Sequence, residues 1–315
     1  MNINHLVTQY VTFRRTLGEK CKTIESILRS FCRAIGPETV IGRIRLKAVT
    51  TFLDGTGPVT RGWHGRYFAL KGCFQFAVAR GDLDMAPLPT VIPKRPPTIV
   101  PYIYSREEIR RLLDAIPAAH HYQGLVEPAT LRAILLMLYG AALRRGEALR
   151  LPVADVDLAN SLLTIRNTKF YKSRLVPISL DLTKVLRDYA RWREAAHPSA
   201  DATSTFFLNQ RGQAIHKDTL ENAFNRVRTY ACVRRSDGAR FQPRMHDLRH
   251  AAAVHRLIEW YRQGADVQRL VYHLSVYLGH THLADTQVYL TMTPELLQQA
   301  SQRFERYARK EDGHA

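Results

Sequence analysis

The sequence predicts a mainly α-helical protein of two domains, with a small β-hairpin that makes the second domain α+β. Three observations support this prediction. Apolar residues recur at helical spacing through most of the chain. A proline-rich stretch, residues 87–103, separates the two halves. Two short runs rich in strand-forming residues, 162–166 and 174–178, flank a basic turn and predict the hairpin.

Residues 1–86 are predicted to form an all-α domain. Its first two helices show apolar residues at helical spacing, namely Leu6, Tyr10, Phe13 and Leu17, then Ile24, Ile27, Leu28 and Phe31. A turn is expected over residues 54–65. An amphipathic helix over residues 65–80 then ends at Gly81, because glycine commonly follows a helix C-terminus. No titratable cluster occurs here, so we expect a binding or structural domain.

Residues 87–103 are predicted to form the linker. Six prolines between Pro87 and Pro101 disfavour helix and favour an extended, stiff segment. Lys94 and Arg95 make this segment basic, so it suits either contact with a phosphate backbone or a plain spacer.

Residues 104–315 are predicted to form the second domain. A capping box from Ser105 to Glu108 announces its first helix. A helix is expected over residues 125–138, with a break at residues 139–142. The hairpin follows, with residues 167–173 as its basic tip. Further helices are expected over residues 182–196, 217–231, 248–263, 267–278 and, as an amphipathic tail that could dock on a neighbouring molecule, 294–309.

The chain is strongly basic, with a formal net charge of +18. The excess is divided evenly between residues 1–100 and residues 101–315, at +9 each, rather than concentrated in a tail. A charge of this size exceeds what solubility requires. Two basic lobes suit a clamp around a polyanion, and nucleic acid is the expected partner.

The cysteines and the apolar segments indicate the compartment. Cys21, Cys32, Cys73 and Cys232 form no C-x-x-C pair, which is typical of ordinary thiols in a reducing cytosol. The N-terminus has no signal pattern, and the longest apolar run, residues 133–138, is too short to span a bilayer. We therefore expect a soluble cytoplasmic protein.

Four side chains in the last third of the chain suit phosphodiester chemistry. His246 and Arg249 are three residues apart, so on a helix they share a face. His280 follows a hydrophobic run, and Tyr289 lies nine residues later. A cation, two imidazoles and a phenol in one place suit phosphoryl transfer, with the phenol as nucleophile. The alternative is a buried structural histidine at 280 and a core tyrosine at 289.

Two basic residues upstream extend this set. Arg144 follows a Gly-Ala-Ala-Leu break, so we expect it at a helix start, where its planar fork can grip a phosphate. A surface ion pair with Glu147 is the alternative. Lys169 lies at the hairpin tip, where a lysine can donate a proton to a leaving oxygen. Lys172 is the alternative for that role. The simpler interpretation is that Lys169 is a solvated lysine in a turn.

His246 and His250 also have the spacing of a metal-binding helical pair. Against this interpretation, Arg249 would lie beside the ion, and no clear third ligand is placed. The remaining candidate ligands are His255, His280 and His282. We therefore expect no metal and no other cofactor.

The order of these residues is more specific than any one of them. In turn come Arg144-Arg145-Gly146-Glu147, Thr168-Lys169, Lys172-Ser173-Arg174, His246-Asp247-Leu248-Arg249-His250, Leu278-Gly279-His280 and Thr286-Gln287-Val288-Tyr289. This order closely resembles the tyrosine recombinase (phage-integrase-like) family, whose hallmark is Arg, Lys, His-x-x-Arg, His and a tyrosine nucleophile. The resemblance covers residues 104–304. Residues 1–86 and the linker resemble, with weaker motif support, that family's helical (SAM-like) core-binding half.

The resemblance implies a role for each matching residue. Tyr289 matches the nucleophile, and Arg144 and Arg249 match the two arginines that bind the phosphate. The remaining matches are Lys169 as the hairpin lysine (or Lys172, if the hairpin aligns one step differently), His246 and His280 as the two histidines, and Glu147 and Asp247 as supporting positions.

The family resemblance further implies a C-shaped clamp on double-stranded DNA and a site-specific recombinase that needs neither metal nor ATP. Strands would be exchanged through a 3′-phosphotyrosyl link and a Holliday junction within a homo-tetramer, with sibling or accessory proteins possible. We expect a bacterial mobile-element integrase or transposase. Two alternatives stay open: a type IB topoisomerase, which acts as a monomer on one duplex, and a DNA-binding accessory protein without catalysis.

Overall fold

The computed structural model describes residues 1–96, 99–121, 124–166, 173–198, 203–239, 241–292 and 294–311, with side chains described as far as residue 302. The chain divides into two compact units, Met1–Ile99 and Val100–Ala315. The division falls inside the stretch predicted as a linker.

The first unit is built from four helices around an apolar core. They are α1 (Ile3–Thr16), α2 (Lys22–Ile35), α3 (Leu46–Asp54) and α4 (Arg61–Ala79). Leu28, Phe31 and Phe74 are fully buried at the centre of this core. The rings of Phe31 and Phe74 meet edge to face, with centroids 6.1 Å apart.

The last helix of this unit begins earlier than predicted. The sequence predicts a turn over residues 54–65, but α4 begins at Arg61. The Trp63 indole donates a hydrogen bond to the Asp54 carboxylate at 2.8 Å and so ties the first turn of α4 to the end of α3. The apolar spacing in the first helix also predicts a longer buried face than the structure has, because Phe13 and Leu17 are exposed.

The second unit is mainly helical around one small sheet. Its helices are α5 (Arg106–Asp114), α6 (Ile116–Ala119), α7 (Pro128–Gly140), α8 (Arg145–Leu149), α9 (Leu180–Ala196), α10 (Lys217–Tyr230), α11 (Asp247–Arg262), α12 (Val267–Leu278), α13 (Ala284–Gln287) and α14 (Pro294–Glu311). A 3-10 turn, Val288–Thr291, separates the last two. The capping box is confirmed, since Ser105 and Glu108 exchange hydrogen bonds at the start of α5.

The sheet has three antiparallel strands in the order β1 (Val156–Asp157), β2 (Leu162–Ile165) and β3 (Arg174–Pro177). The predicted hairpin is thus confirmed as β2 and β3, with Leu163 paired to Val176. Strand β1 is too short to be predicted from its sequence. Most of the hairpin tip, residues 167–172, lies outside the described residues, and so do Lys169 and Lys172.

The predicted break at residues 139–142 is placed two residues too early. Helix α7 continues through Tyr139 and Gly140, and the chain turns only at Ala142, whose φ is +49°. This is a left-handed conformation that residues with a Cβ rarely adopt. The apolar sequence does not reveal this turn, whose carbonyl is bound by Arg249, a residue 107 positions away.

The C-terminal helix α14 packs on α11 of the same chain. Leu296 is fully buried there, and Arg262 on α11 pairs with Glu295 at 2.5 Å. In this single chain Leu297, the residue after Leu296, is 50% exposed. The expectation that this tail docks on a neighbouring molecule stays a prediction. Among the described residues, no helix is both long and apolar enough to cross a membrane.

Replacing Phe74 by alanine should lower the free energy of unfolding of the first unit by about 3–5 kcal/mol, because a fully buried ring would leave a cavity. Calorimetric unfolding measures this change. Phe13→Ala is the matched control, since Phe13 is 44% exposed. Equal destabilisation by the two substitutions would contradict this description of the core.

Candidate active site

The site is assembled around the C-terminal end of α12, where backbone carbonyls lack helical partners. Arg249, on the first turn of α11, is only 2% exposed. One of its terminal nitrogens donates to the Leu278 carbonyl at 2.6 Å, and the other donates to the Ala142 carbonyl at 2.5 Å. A single guanidinium thus holds both the end of α12 and the strained turn after α7.

Two further arginines bind the adjacent carbonyls. Arg144, directly before α8, donates from Nη2 to the Gly279 carbonyl at 2.7 Å. Arg174, the first residue of β3, donates from Nε to the Tyr277 carbonyl at 3.0 Å. Three successive carbonyls therefore receive guanidinium groups from three different elements. The partial negative charge at a helix C-terminus favours this arrangement.

Glu147 on α8 connects two of these arginines. Its carboxylate accepts a pair of hydrogen bonds from Arg174, at 3.0 and 2.9 Å. It also accepts from the Arg144 guanidinium at 2.8 Å and from the Arg144 backbone N–H at 2.9 Å. Burial opposes ionisation of this carboxyl, but the hydrogen bonds and positive charge of Arg174 and Arg144 outweigh it and hold the pKa of Glu147 at about 2.

The predicted ion pair between Arg144 and Glu147 therefore exists, but it lies inside the site rather than on the surface. Arg144 also retains about a third of its side-chain exposure (36%), whereas Glu147 is nearly covered. Arg249 remains a cation at neutral pH, although burial and the nearby Arg144 charge lower its pKa to about 10.

Gly279 leaves room for the Arg174 guanidinium at the end of α12. Its φ is +67°, the left-handed conformation that commonly follows a helix. A Cβ at this position would lie 2.8 Å from Nη1 of Arg174, which is closer than real Cβ contacts. The Leu-Gly-His sequence thus has a physical reason: only glycine allows both the turn and the close approach of Arg174.

Tyr289 lies beside these arginines on the 3-10 turn and is 2% exposed. Burial raises the pKa of its phenol, while the charges of Arg249 and Arg144 act in the opposite direction. The His280 ring lies alongside the Tyr289 ring, with centroids 6.2 Å apart. Nδ1 of His280 is hydrogen-bonded to the Thr286 hydroxyl at 2.7 Å. Burial and the same arginines lower the pKa of His280 to about 4, so its ring is neutral at pH 7.

The start of α11 holds His246 and Asp247. Asp247 is buried and accepts hydrogen bonds from Arg244, including one from its backbone N–H at 2.9 Å and one from Nη2 at 2.6 Å. This contact fixes the turn from which His246 projects. His246 is partly open to solvent, and its ring meets that of His250 edge to face with centroids 4.9 Å apart.

The structure brings together most of the residues that the sequence predicts. Arg144, Arg249, His280 and Tyr289 converge at the end of α12, with Glu147 beneath the arginines. Asp247 supports the His246 turn. Lys169 lies outside the described residues. No group of three or more His, Cys, Asp or Glu side chains placed to hold a metal occurs within the described part of the chain.

Two residues in the site are not predicted from the sequence. In the sequence, Arg174 serves only to align the hairpin, together with Lys172. In the structure it binds both Glu147 and the end of α12. His250 suggests only a metal ligand, yet its Nδ1 lies 2.9 Å from the Tyr289 hydroxyl. The spacing of His250 from His246 is visible in the sequence, but its contact with a residue 39 positions away is not.

Comparison with known proteins identifies the class. A family model described as the Phage integrase family matches residues 104–295. The Sinorhizobium fredii protein y4rB, which carries an integrase/recombinase name, is 34% identical over 303 residues, covering 95% of this chain and 96% of that protein. The tyrosine recombinase XerA of Thermococcus kodakarensis is 32% identical over 235 residues, covering 75% of this chain and 72% of XerA. The chain therefore belongs to the phage integrase family of tyrosine recombinases, enzymes that recombine DNA.

Solved structures share the fold. The Tn1549 transposon integrase in complex with transposon right-end DNA matches with a TM-score of 0.68 at 17% identity, covering 98% of this chain and 100% of that chain. A lambda integrase tetramer bound to a Holliday junction matches with a TM-score of 0.61 at 16% identity, covering 90% of this chain and 78% of that chain. The predicted mainly helical fold class is confirmed.

Glu147→Gln should remove a pH-dependent part of the stability of the second unit. The pKa of Glu147 is about 2 in the fold against a usual 4.5, so its ionised form stabilises the fold above pH 4.5. That contribution, about 3 kcal/mol, is lost as the pH falls from 4.5 towards 2. Urea unfolding between pH 7 and pH 2 measures it. Glu107→Gln is the control, because Glu107 is largely exposed; identical pH profiles for the two variants would contradict the role of Glu147.

Gly279→Ala should reduce DNA cleavage by roughly 10²-fold, because a displaced Arg174 would misalign the site. Gly264→Ala is a matched control. Gly264 also follows a helix, with a φ of +69°, but its Cβ would meet nothing within 4 Å. Both substitutions should cost about 1–2 kcal/mol of stability. Cleavage at the same rate by both variants would contradict the importance of the Arg174 contact.

Proposed function

We propose that this chain is a site-specific recombinase that cuts DNA by attack of Tyr289 on the scissile phosphate. The observation that carries this proposal is the convergence of Tyr289, Arg144 and Arg249 at the end of α12. The attack forms a 3′-phosphotyrosyl bond and releases a 5′-hydroxyl. Because the covalent bond retains the energy of the broken one, the 5′-hydroxyl of another strand can reseal it without ATP.

The arginines stabilise the transition state. Negative charge develops on the phosphate oxygens as the phenol attacks, and guanidinium groups fixed beforehand meet that charge without reorganisation. Arg249 is fixed by the two carbonyls that it binds, and Arg144 by Gly279 and Glu147. Together the two arginines supply charge stabilisation that metal ions supply in many other phosphoryl-transfer enzymes.

The remaining predicted residues handle protons and hydrogen bonds. Lys169, from the hairpin tip, protonates the leaving 5′-oxygen. His246 assists proton transfer, and His280 donates a hydrogen bond to the phosphate from Nε2, since Thr286 engages its Nδ1.

Double-stranded DNA is the proposed partner, and a homo-tetramer on DNA is the proposed working assembly. The net charge of +18 supports the first. The similarity in fold to lambda integrase, which forms a tetramer on a Holliday junction, supports the second. The first unit would serve as the core-binding domain, the linker would follow the phosphate backbone, and residues 104–315 would be the catalytic domain.

A mobile element is the proposed context, and the cytoplasm the proposed compartment. The similarity to the integrase of transposon Tn1549 supports a role in integration or transposition. The described cysteines are all free thiols, as expected in a reducing compartment.

Tyr289→Phe should abolish covalent protein–DNA adducts while leaving DNA binding intact, because only the nucleophilic oxygen is lost. The proteins are mixed with duplexes that carry the sequences flanking the gene, without metal or ATP, and stopped with detergent. Tyr272→Phe is the control, since Tyr272 is 63% exposed on α12.

Adducts at the level of the unmodified protein in Tyr289→Phe would overturn the proposed nucleophile. Plasmid relaxation without any site requirement would favour the topoisomerase alternative. Tight binding by the unmodified protein with no adduct on any flanking duplex would instead support a DNA-binding protein without catalysis.

A further inference from the structure

The proposed mechanism does not use the contact between His250 and Tyr289. Nδ1 of His250 lies 2.9 Å from the phenolic oxygen, and the two ring centroids are 5.6 Å apart. His250 is half-buried on the first turn of α11, directly after Arg249. The same turn of helix therefore presents a phosphate-binding arginine and, one residue later, an imidazole that contacts the nucleophile.

The direction of this hydrogen bond depends on the tautomer of His250, once the protonation states of the two groups are known. Burial and the neighbouring His246 lower the pKa of His250 to about 4, so its ring is neutral at pH 7. Burial raises the pKa of Tyr289, so the phenol retains its hydrogen. In the tautomer that carries its hydrogen on Nε2, the Tyr289 hydroxyl donates to Nδ1 of His250. Nδ1 then carries no proton and lies within hydrogen-bonding distance of the reacting oxygen, so it can accept the phenolic proton.

The other two imidazoles are less suitably placed for this step. Nδ1 of His280 is occupied by the Thr286 hydroxyl, and its ring lies alongside the Tyr289 ring rather than pointing at the oxygen. His246 contacts the His250 ring and is open to solvent. It is therefore positioned to exchange a proton between solvent and His250, rather than with the phenol itself.

We propose that His250 is the catalytic base that accepts the phenolic proton of Tyr289 during DNA cleavage, an inference that rests on the proposed function. As the Tyr289 oxygen bonds to phosphorus, its O–H bond breaks and the proton passes to Nδ1. The bond from phosphorus to the 5′-oxygen breaks with its electron pair, and that oxygen takes its proton from the proposed acid, Lys169. On resealing, His250 returns the proton to the departing tyrosine oxygen.

His250→Ala should slow adduct formation by on the order of 10²-fold while leaving DNA affinity unchanged. Single-turnover cleavage of the same flanking duplex at saturating protein measures the rate. His250→Gln is a second variant, which fills the space but cannot take a proton at neutral pH. His273→Ala is the control, because His273 is exposed on α12 and should retain the full rate.

Fluorinated tyrosine at position 289 distinguishes a base from a structural residue. A more acidic phenol needs less help from a base, so introducing it should reduce the His250→Gln defect at least severalfold. A defect of unchanged size would mean that His250 only positions the ring, and it would overturn the proposal. Full cleavage activity in both His250 variants would do the same.

Failure of this inference is distinguishable from failure of the proposed function. Adducts from the unmodified protein that disappear in Tyr289→Phe but persist at full rate in His250→Ala would overturn the assignment of the base alone. Absence of adducts from the unmodified protein would overturn the function and, with it, the role of His250.

Discussion

The site depends on the way that buried guanidinium groups bind the unsatisfied carbonyls at the end of α12. A helix end without partners is costly to bury. Here the carbonyls of Tyr277, Leu278 and Gly279 are each bound by an arginine from a different element. The interaction that satisfies the helix therefore also fixes the cations. This explains how a loop, a strand and a helix that are far apart in sequence arrive at one place.

The balance of charge in the site follows from the same contacts. The Glu147 carboxylate forms salt bridges with both Arg144 and Arg174. Arg249 has neutral partners, the Ala142 and Leu278 carbonyls and the Tyr289 hydroxyl. The cluster therefore keeps an excess of positive charge in a poorly solvated place, where charges interact more strongly than in water. An anionic phosphate could supply the missing negative charge.

Burial also sets the protonation states around Tyr289. It lowers the pKa values of His250 and His280 and raises that of Tyr289, so imidazoles and phenol are neutral at pH 7. Arg249 stays charged at pH 7, because burial lowers its pKa only to about 10. A neutral phenol beside neutral imidazoles and fixed cations is thus a consequence of packing around α12, not of the residue types alone.

The sequence is sufficient to predict the helical fold class, the hairpin and the convergence of Tyr289 with the arginines, because motif order and periodicity carry that information. It is insufficient where a side chain acts through tertiary contacts. Arg174 looks like an alignment landmark, because its bond to the Tyr277 carbonyl joins residues 103 positions apart. The left-handed turn at Ala142 is likewise bound by a distant residue, Arg249. Lys169 stays a prediction.

The most direct test of this account is to identify the residue that carries the DNA. The covalent adduct would be digested with nuclease and protease, and the nucleotide-bearing peptide sequenced by mass spectrometry. We predict a peptide with Tyr289 linked to a 3′-phosphate. A nucleotide on any other residue, or a link to a 5′-phosphate, would contradict it.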